Sequence, residues 1–298
     1  MFRLAHLSDP HLGPLPEPRL RELVGKRVLG YINWRLNRGR GGMRPVLLDQ
    51  LGADMRAQTP DHVAVTGDIV NIALDAELEP ARRWLASLGP GRDVSVVPGN
   101  HDVYVDGALR RTAESWGAFL RGDGDGTVRC PYVRRRGPVA IIGLNSAEVT
   151  APFMATGRFD AGQALRLAEL LDHTAHEGLY RVVLIHHPPA QKPIHWAGRL
   201  IGASRMRDVI QTHGAELILH GHTHRPTVEW LPGRHRPVPL VGVPAASRAP
   251  GPDRRGAGYN LFEIDGTPGA WRTTRIERGF ANAGSGIVEI SRRPLLPI

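Results

Sequence analysis

Five short apolar runs along the chain have the texture of buried strands, and each of them ends in a polar block. The runs span Phe2 to Leu7, Val63 to Thr66, Val94 to Val97, Val182 to Ile185 and Leu217 to Leu219. The blocks that follow them are Asp9-Pro10-His11, Gly67-Asp68, Gly99-Asn100-His101-Asp102, His186-His187 and Gly221-His222-Thr223-His224. A strand anchored in a core holds its last residue rigidly while the following loop faces solvent. The pattern therefore places these polar side chains at strand ends, where catalytic groups are commonly found.

Helical stretches alternate with the strands, and this alternation predicts an α/β layered architecture. We expect helices over Pro45 to Gln58, Ala76 to Ser87, Gly107 to Leu120, Asp160 to His176 and Ser204 to His213. Asp160 and Ser204 are the expected amino-terminal caps of the last two. From about residue 226 the chain is rich in short strands: Val228 to Leu231, Pro239 to Val243, Tyr259 to Ile264, Trp271 to Ile276 and Gly286 to Ile290. Because the polar blocks spread from residue 9 to residue 224, we expect one domain over residues 1–298.

The polar blocks supply carboxylate and carboxamide oxygens and imidazole nitrogens, and no thiolate. Such donors suit borderline or hard ions such as zinc, manganese and iron. A single aspartate whose two oxygens bind different ions could hold them about 3.5 to 4 Å apart, the separation used by two-metal phosphatases. Asp68 is our candidate for this bridge.

Each block taken alone also has an ordinary structural explanation. Asp9 could cap a turn, Gly67-Asp68 is common turn chemistry, and Asp102 could be a turn or cap residue. His187 is expected to point away from its neighbour His186 and to be structural. The combination of the five blocks in this order favours a metal site, although the separate pieces do not.

The five blocks, in this order, resemble those of the calcineurin-like metallophosphoesterase superfamily, and the motifs carry this resemblance from residue 1 to about residue 225. It implies a four-layer α-β-β-α sandwich of two mixed sheets, with the metal site at the sheet edge. It implies that one ion is bound by Asp9, His11, Asp68 and His224, and the other by Asp68, Asn100, His186 and His222. It offers His101 as a proton donor or phosphate contact. We interpret Asp102 as the second candidate catalytic residue, which would orient the ring of His101.

The implied activity is hydrolysis of a phosphodiester or pyrophosphate bond by attack of a metal-bound hydroxide, with two divalent or trivalent ions (Mn, Fe or Zn) as cofactors. A covalent route is disfavoured because the sequence has no Gly-x-Ser-x-Gly elbow and its single cysteine is remote from the histidine blocks. The expected substrate is a phosphate-containing small molecule, nucleotide-linked or lipid-linked. A cyclic-nucleotide (3',5'-cAMP-like) phosphodiesterase is the alternative. We do not expect a nucleic-acid partner, so a DNA exonuclease is disfavoured, and the intact ligand set disfavours a non-catalytic scaffold.

Residues 14–42 form a cap-like insertion between the first block and the next helix. Apolar and basic residues alternate there, with seven basic against two acidic side chains. This mixture indicates a cap that lies on a membrane surface or receives a lipid-linked phosphate. Gly25 and Gly30 interrupt the helical pattern, however, so an ordinary packed cap is the competing and favoured interpretation.

The formal charge of the chain is +9, and all but two of its 38 basic residues are arginines. Arginine matches phosphate geometry with paired hydrogen bonds, so a positive surface would steer anionic partners toward the site. Surface solvation and coding composition explain the excess equally well. The run Arg134-Arg135-Arg136 is expected to be exposed rather than catalytic.

Cys130 is the only cysteine and cannot form an internal disulfide, which suits a reducing compartment. The chain begins on a strand pattern rather than a signal segment, and no apolar run approaches the roughly 18 to 20 residues needed to cross a bilayer. We therefore expect a cytoplasmic protein, peripheral on the inner membrane surface if the cap touches lipid. The oligomeric state is left open. The loop from Ala249 to Gly258 is expected to be flexible.

Overall fold

A computed structural model describes residues 1–38, 45–124, 126–191, 195–251, 256–282 and 284–296. Its strands are β1 (Phe2–Leu7), β2 (His62–Val65), β3 (Val94–Val96), β4 (Tyr132–Arg136), β5 (Val139–Gly143), β6 (Gly157–Arg158), β7 (Tyr180–Leu184), β8 (Leu200–Ile201), β9 (Leu217–His220), β10 (Val228–Leu231), β11 (Val238–Gly242), β12 (Gly258–Asp265), β13 (Arg272–Phe280) and β14 (Ile287–Pro294). Its α-helices are α1 (Lys26–Asn33), α2 (Pro45–Ala57), α3 (Asp75–Leu88), α4 (Ala108–Leu120), α5 (Ala161–His176) and α6 (Ala203–His213).

Twelve of these strands form two mixed sheets. The first sheet has the order β14-β13-β12-β1-β2-β3, in which β1, β2 and β3 are parallel and the other three are antiparallel. The second has the order β10-β11-β9-β7-β5-β4, in which the four central strands are parallel and β10 and β4 are antiparallel edges. Strands β6 and β8 form a small parallel pair. Parallel strands direct their carboxyl ends toward the same edge, so each sheet gathers its polar blocks on one side.

The two sheets pack face to face because side chains alternate along their strands. On β7, Val182 and Leu184 enter the core between the sheets, whereas Val183 enters the core beneath α5 and α6. On β1, Leu4 faces the other sheet while Leu7 faces the helices α2, α3 and α4. Burying each such side chain contributes about 1.5 to 3 kcal/mol. The expected four-layer α-β-β-α sandwich is confirmed.

Local signals predicted some element boundaries better than others. Asp160 caps α5 as expected, since its Oδ1 accepts a hydrogen bond from the backbone N–H of Gln163 at 2.7 Å. The expected cap at Ser204 is wrong: α6 begins one residue earlier, and its cap position is Gly202 in a left-handed conformation, which glycine adopts without strain. Arg134 is also a correction to the expected exposed run, because its side chain is buried and donates to five backbone carbonyls.

The cap-like insertion is helical where the structure describes it. A 3₁₀ turn (Leu20–Glu22) leads to α1, and a π-helical turn (Trp34–Arg38) follows it. Residues 39–42 of the expected cap, and residues 252–255 of the loop expected to be flexible, lie outside the described residues. Across the described ranges, no helix combines the length and apolar character that a bilayer crossing requires.

Candidate metal centre

The five polar blocks follow β1, β2, β3, β7 and β9, and the structure brings them together where the carboxyl ends of both sheets meet. Backbone hydrogen bonds join neighbouring blocks, from the N–H of Asp9 to the carbonyl of Gly67 at 3.0 Å and from the N–H of Gly221 to the carbonyl of His186 at 3.2 Å. The two sheets are linked directly by the N–H of His222, which donates to Oδ2 of Asp9 at 3.2 Å. Residues more than 200 positions apart in the sequence therefore share one site.

Four side chains form the first group of donors: Asp9, His11, Asp68 and His224. Their ligand atoms all lie within 4.8 Å of one another. Nε2 of His224 is 3.1 Å from Oδ1 of Asp9 and 3.4 Å from Nε2 of His11, which is itself 3.8 Å from Oδ2 of Asp68. These are the four residues that the resemblance assigns to one ion.

The second group is arranged around Oδ1 of Asn100. Nε2 of His186 lies 3.2 Å from this oxygen, and Nδ1 of His222 lies 3.1 Å from it. Nε2 of His186 is also 3.4 Å from Oδ2 of Asp68. Asp68 thus stands between the two groups, in the position expected of a bridging carboxylate.

His187 adjoins this second group. Its ring centroid lies 4.4 Å from that of His222 and 4.9 Å from that of His186, so it does not point away from its neighbour as expected. Strand alternation does not apply here, because β7 ends at Leu184. Both ring nitrogens of His187 have protein partners, Oγ of Ser146 at 2.9 Å and the carbonyl of Ala155 at 3.0 Å. Its ligand atom lies within 4.8 Å of those of His186 and His222, but the two contacts occupy both ring nitrogens and favour a structural role.

His101 lies beside both groups, while the adjacent Asp102 turns away from it. The N–H of His101 donates to Oδ1 of Asp68 at 2.8 Å, and its ring Nδ1 contacts the carbonyl of Asn71. The ring of Tyr104 stacks on the His101 ring, with centroids 5.7 Å apart and planes inclined by 12°. The His101 ring is therefore oriented by Asn71 and Tyr104, a role that the sequence had suggested for Asp102.

The carboxylate of Asp102 is buried and organises the loop after β2. It accepts hydrogen bonds from the N–H groups of Ile69 at 2.8 Å, Val70 at 3.1 Å and Gly99 at 2.8 Å. Burial, together with the nearby Asp68 carboxylate, raises the pKa of Asp102 to about 7. The contacts give Asp102 the turn-forming role that was its alternative explanation.

The backbone of the site is held in conformations that side-chain-bearing residues rarely adopt. Eight non-glycine residues in the described part of the chain have positive φ, and five of them are candidate ligands: Asp9, His11, Asp68, His222 and His224. The left-handed region costs roughly 1 to 2 kcal/mol per residue. Such strain persists only where the surroundings determine the geometry, and it is commonest at functional sites. The five conformations therefore indicate a preorganised centre.

Two glycines are required by close packing in the same loops. A Cβ on Gly99 would collide with the side chain of Asp68, and a Cβ on Gly221 would lie 2.6 Å from Oδ2 of Asp9. The glycines that begin the third and fifth blocks are therefore needed so that the backbone can approach the two carboxylates.

The electrostatics of the centre suit a cation. Burial opposes the charge of Asp68, yet the imidazoles of His186 and His101 hold the pKa of its carboxyl well below the usual value. Burial likewise opposes the charge of His186, but the Asp68 carboxylate raises the pKa of its imidazole to about 9. Without an ion, the negative charge of the Asp68 carboxylate would therefore be balanced by a proton on the imidazole of His186. A divalent cation would displace that proton and take its place, so the donor set fits a metal.

The sequence did not reveal the groups that orient the ligand histidines. The carbonyl of Thr66 accepts from Nδ1 of His186 at 2.6 Å, and the carbonyl of Gly198 accepts from Nε2 of His222 at 2.9 Å. Such partners set the tautomer and the direction of a metal-binding imidazole. No sequence signal could have identified them, because every residue carries a carbonyl.

A cleft of about 580 Å³ opens beside His222. Its lining is mixed, with apolar surface from Phe153, Ala155, Pro188 and Ala190 and polar groups from His195, Thr223, Arg225 and Glu229. This volume lies within the usual range of small-molecule sites. The donor groups therefore have an adjoining space in which the remainder of a substrate could lie.

Comparison with known proteins gives a family match and several structures of similar fold. A sequence profile described as calcineurin-like phosphoesterase matches residues 2–226. No curated protein matches the chain significantly. Among solved structures, a dimetal phosphatase from Danio rerio is similar at a TM-score of 0.63 and 13% identity, over 97% of this chain and 98% of that one.

Two further structures are similar over most of this chain but only about half of their own. Purple acid phosphatase PPD1 from yellow lupin, Lupinus luteus, has a TM-score of 0.56 and 11% identity, with 98% of this chain and 53% of that one covered. The sulfate thiohydrolase SoxB from Thermus thermophilus has a TM-score of 0.51 and 18% identity, with 91% and 55% covered. At these identities the likeness establishes the fold and not the substrate.

Proposed function

Because this chain belongs to the calcineurin-like phosphoesterase family, we propose that it is a dinuclear metal-dependent phosphohydrolase. The observation that carries the proposal is the pair of donor groups that share Asp68, one centred on Asp9 and His224 and the other on Asn100 and His186. Two divalent ions held there would lower the pKa of water toward about 7 and neutralise charge on the phosphorus oxygens. The donor set suits manganese, iron or zinc.

The protein's own contribution is to place and orient the reacting groups. Asp68 would bridge the two ions, since its Oδ2 lies 3.8 Å from Nε2 of His11 in one group and 3.4 Å from Nε2 of His186 in the other. His101 would donate a proton from Nε2 to the leaving oxygen, since its Nδ1 is held by the carbonyl of Asn71. The stacked ring of Tyr104 would keep the imidazole in that orientation.

The cleft beside His222 favours a substrate with a nucleotide-sized group on one side of the scissile phosphate. Its volume of about 580 Å³ and its mixed lining provide apolar surface for a base or sugar face and polar groups for hydroxyls. Arg225 in the lining would contact a second phosphate. We therefore propose a phosphodiester or pyrophosphate of this type as the substrate.

A cyclic-nucleotide phosphodiesterase is the second candidate. A 3',5'-cyclic nucleotide carries one phosphate and one base, and the same cleft is large enough to accept it. The two candidates differ in whether a second phosphate contributes to binding. Arg225→Gln should accordingly raise KM for a pyrophosphate much more than KM for cyclic AMP.

The proposal is tested by substrate comparison with the purified chain. Manganese-loaded protein should hydrolyse bis(p-nitrophenyl) phosphate and should lose this activity on chelation. Rates measured side by side on a nucleotide-linked pyrophosphate, a lipid-linked pyrophosphate, cyclic AMP and single-stranded DNA would identify the substrate class. An absence of turnover with manganese, iron and zinc on all of these substrates would favour a non-catalytic scaffold.

A further inference from the structure

The outer side of the cap carries a row of exposed apolar side chains. No residue of α1 is buried. Val28 and Ile32, four residues apart on α1, are 37% and 48% exposed, and Leu36 in the following turn is 53% exposed. Residues spaced by four lie on one face of a helix. Together with the exposed Leu20, Val24 and Leu29 they form what we call the outer stripe: Leu20, Val24, Val28, Leu29, Ile32 and Leu36.

The opposite side of α1 is anchored to the body of the protein. Nζ of Lys26 donates to Oγ1 of Thr150 at 2.6 Å and lies 4.5 Å from the ring centroid of Tyr104. Nε of Arg27 donates to the carbonyl of Ile72 at 3.1 Å. Tyr31 and Trp34 pack against the core beneath the first sheet. The cap is therefore held in one orientation, and the stripe faces outward as a consequence.

The cap helix that carries the stripe contacts a segment that borders the cleft beside the metal centre. Nζ of Lys26 also donates to the carbonyl of Met154 at 3.2 Å, beside the largely exposed Phe153. This segment is joined to the turn Trp196–Gly198 by a hydrogen bond from the N–H of Ala155 to the carbonyl of Ala197 at 2.7 Å. Phe153 lines the cleft beside His222, and Trp196 is 60% exposed. Exposed apolar side chains therefore lie both on the cap and beside this cleft.

Basic side chains accompany the outer stripe. Arg19 and Arg21 lie at its amino-terminal end and Arg35 near its carboxyl-terminal end, and all three are exposed. Among the ion pairs formed by described residues, none involves these three arginines. An apolar helix face flanked by exposed basic side chains is complementary to a surface with an apolar interior and anionic headgroups.

We propose that the outer stripe docks on an anionic phospholipid membrane. The apolar side chains insert below the headgroups, and Arg19, Arg21 and Arg35 contact the lipid phosphates. The entrance of the metal centre then faces the lipid–water interface. This inference does not depend on the proposed hydrolase activity, because membrane binding is measured without substrate.

A second copy of the chain is the competing occupant of this face. A symmetric dimer through the stripe would bring the arginines of both copies close together, and like charges would oppose association. The same arginines strengthen binding to an anionic bilayer. Charge therefore favours the membrane over the dimer.

The test is cosedimentation of the full chain with vesicles. Wild type should bind vesicles of phosphatidylcholine mixed with phosphatidylglycerol, should bind vesicles of phosphatidylcholine alone much more weakly, and should be released by high salt. The double variant Val28→Glu, Ile32→Glu should lower the binding constant at least about tenfold, since it places charge within the inserted face. Leu165→Glu on α5 is the matched control, because Leu165 is an exposed leucine on another helix.

Each outcome decides the question. Loss of binding in the double variant but not in Leu165→Glu, with both variants folded by thermal unfolding, supports the docking face. If wild type does not bind the anionic vesicles, or if the double variant binds them as well as wild type, the proposal is overturned. It is also overturned if gel filtration shows a wild-type dimer that the double variant abolishes while no vesicle binding occurs. A membrane-binding chain that is inactive on every phosphate substrate would contradict the proposed function alone.

Discussion

The side chains of the centre divide into those that would hold ions and those that would act on substrate, and this division can be tested. Asp68 lies 3.4 Å from His186 and 3.8 Å from His11, so both donor groups depend on it. The backbone N–H of His101 donates to Asp68, and its ring, held by Asn71, packs edge-on against the ring of His11 with centroids 4.8 Å apart. Replacing a metal ligand should therefore remove both bound metal and turnover, whereas replacing a proton donor should lower turnover and leave the metal bound.

Asp68→Ala should abolish turnover and remove bound metal together, because both donor groups lose their shared carboxylate. His101→Ala should lower kcat by about 10² to 10⁴ while the metal content stays at the wild-type level. Metal per chain, measured by elemental analysis after dialysis, and kcat on bis(p-nitrophenyl) phosphate separate the two effects. Equal metal loss in both variants would show that His101 is a ligand and that its assignment is wrong.

Among the strands, β4 shows where sequence patterns are informative and where they fail. Consecutive arginines predicted an exposed segment, and Arg135 does form an exposed pair with Glu177 at 2.7 Å. The side chain of Arg134 lies on the opposite face of the strand. It donates hydrogen bonds to the carbonyls of Arg121, Ala118, Gly91, Arg92 and Val94. Its partners come from α4, β3 and the loop before β3, so one side chain ties the edge of the second sheet to the first. Unpaired carbonyls at helix and strand ends have no sequence signature.

Arg134→Ala should reduce the free energy of unfolding by about 3 to 5 kcal/mol, since several buried carbonyls lose their donor and a cavity remains. Arg135→Ala, one residue along the same strand, should cost about 0 to 1 kcal/mol, because its ion pair is solvated. Denaturant unfolding of both variants gives the comparison. Similar losses in the two variants would mean that the buried hydrogen bonds do not stabilise this edge.

For the molecule as a whole, the sequence predicted the layers of the fold and the residues of the site more completely than the contacts that orient those residues. Apolar runs ending in Asp, Asn and His indicated which strand ends carry the site, and the structure brings these ends together because parallel strands direct them to one edge. The orienting carbonyls of Thr66 and Gly198, the stacking of Tyr104 and the turn-forming role of Asp102 all depend on contacts between distant segments. Local sequence patterns do not predict such contacts.

The buried histidines outside the donor groups should make the whole fold sensitive to acid. Burial lowers the pKa of His62 from 6.5 to about 3, and burial likewise lowers the pKa of His6 to about 3 and that of His220 to about 4. Below about pH 6.5 the unfolded chain takes up protons that the folded chain does not. Stability is therefore lost as pH falls from about 6.5 toward 4, by about 1.4 kcal/mol per pH unit for each such group.

His62→Gln isolates one of these protons at a position away from the metal centre. Its Nε2 contacts Oγ of Ser95 at 2.8 Å, a contact that glutamine can replace. The slope of unfolding free energy against pH should fall by about 1.4 kcal/mol per unit between about pH 4 and 6. An unchanged slope in His62→Gln would mean that His62 is protonated in the folded chain.

The most direct test of the central claim is a titration of the metal-free chain with Mn²⁺, in which bound ions per chain and the rate of bis(p-nitrophenyl) phosphate hydrolysis are measured on the same samples. We predict saturation at two ions per chain, no hydrolysis before metal is added, and a rate that rises as the second ion binds. Binding of two ions without hydrolysis, or hydrolysis that persists in the metal-free chain, would contradict the account.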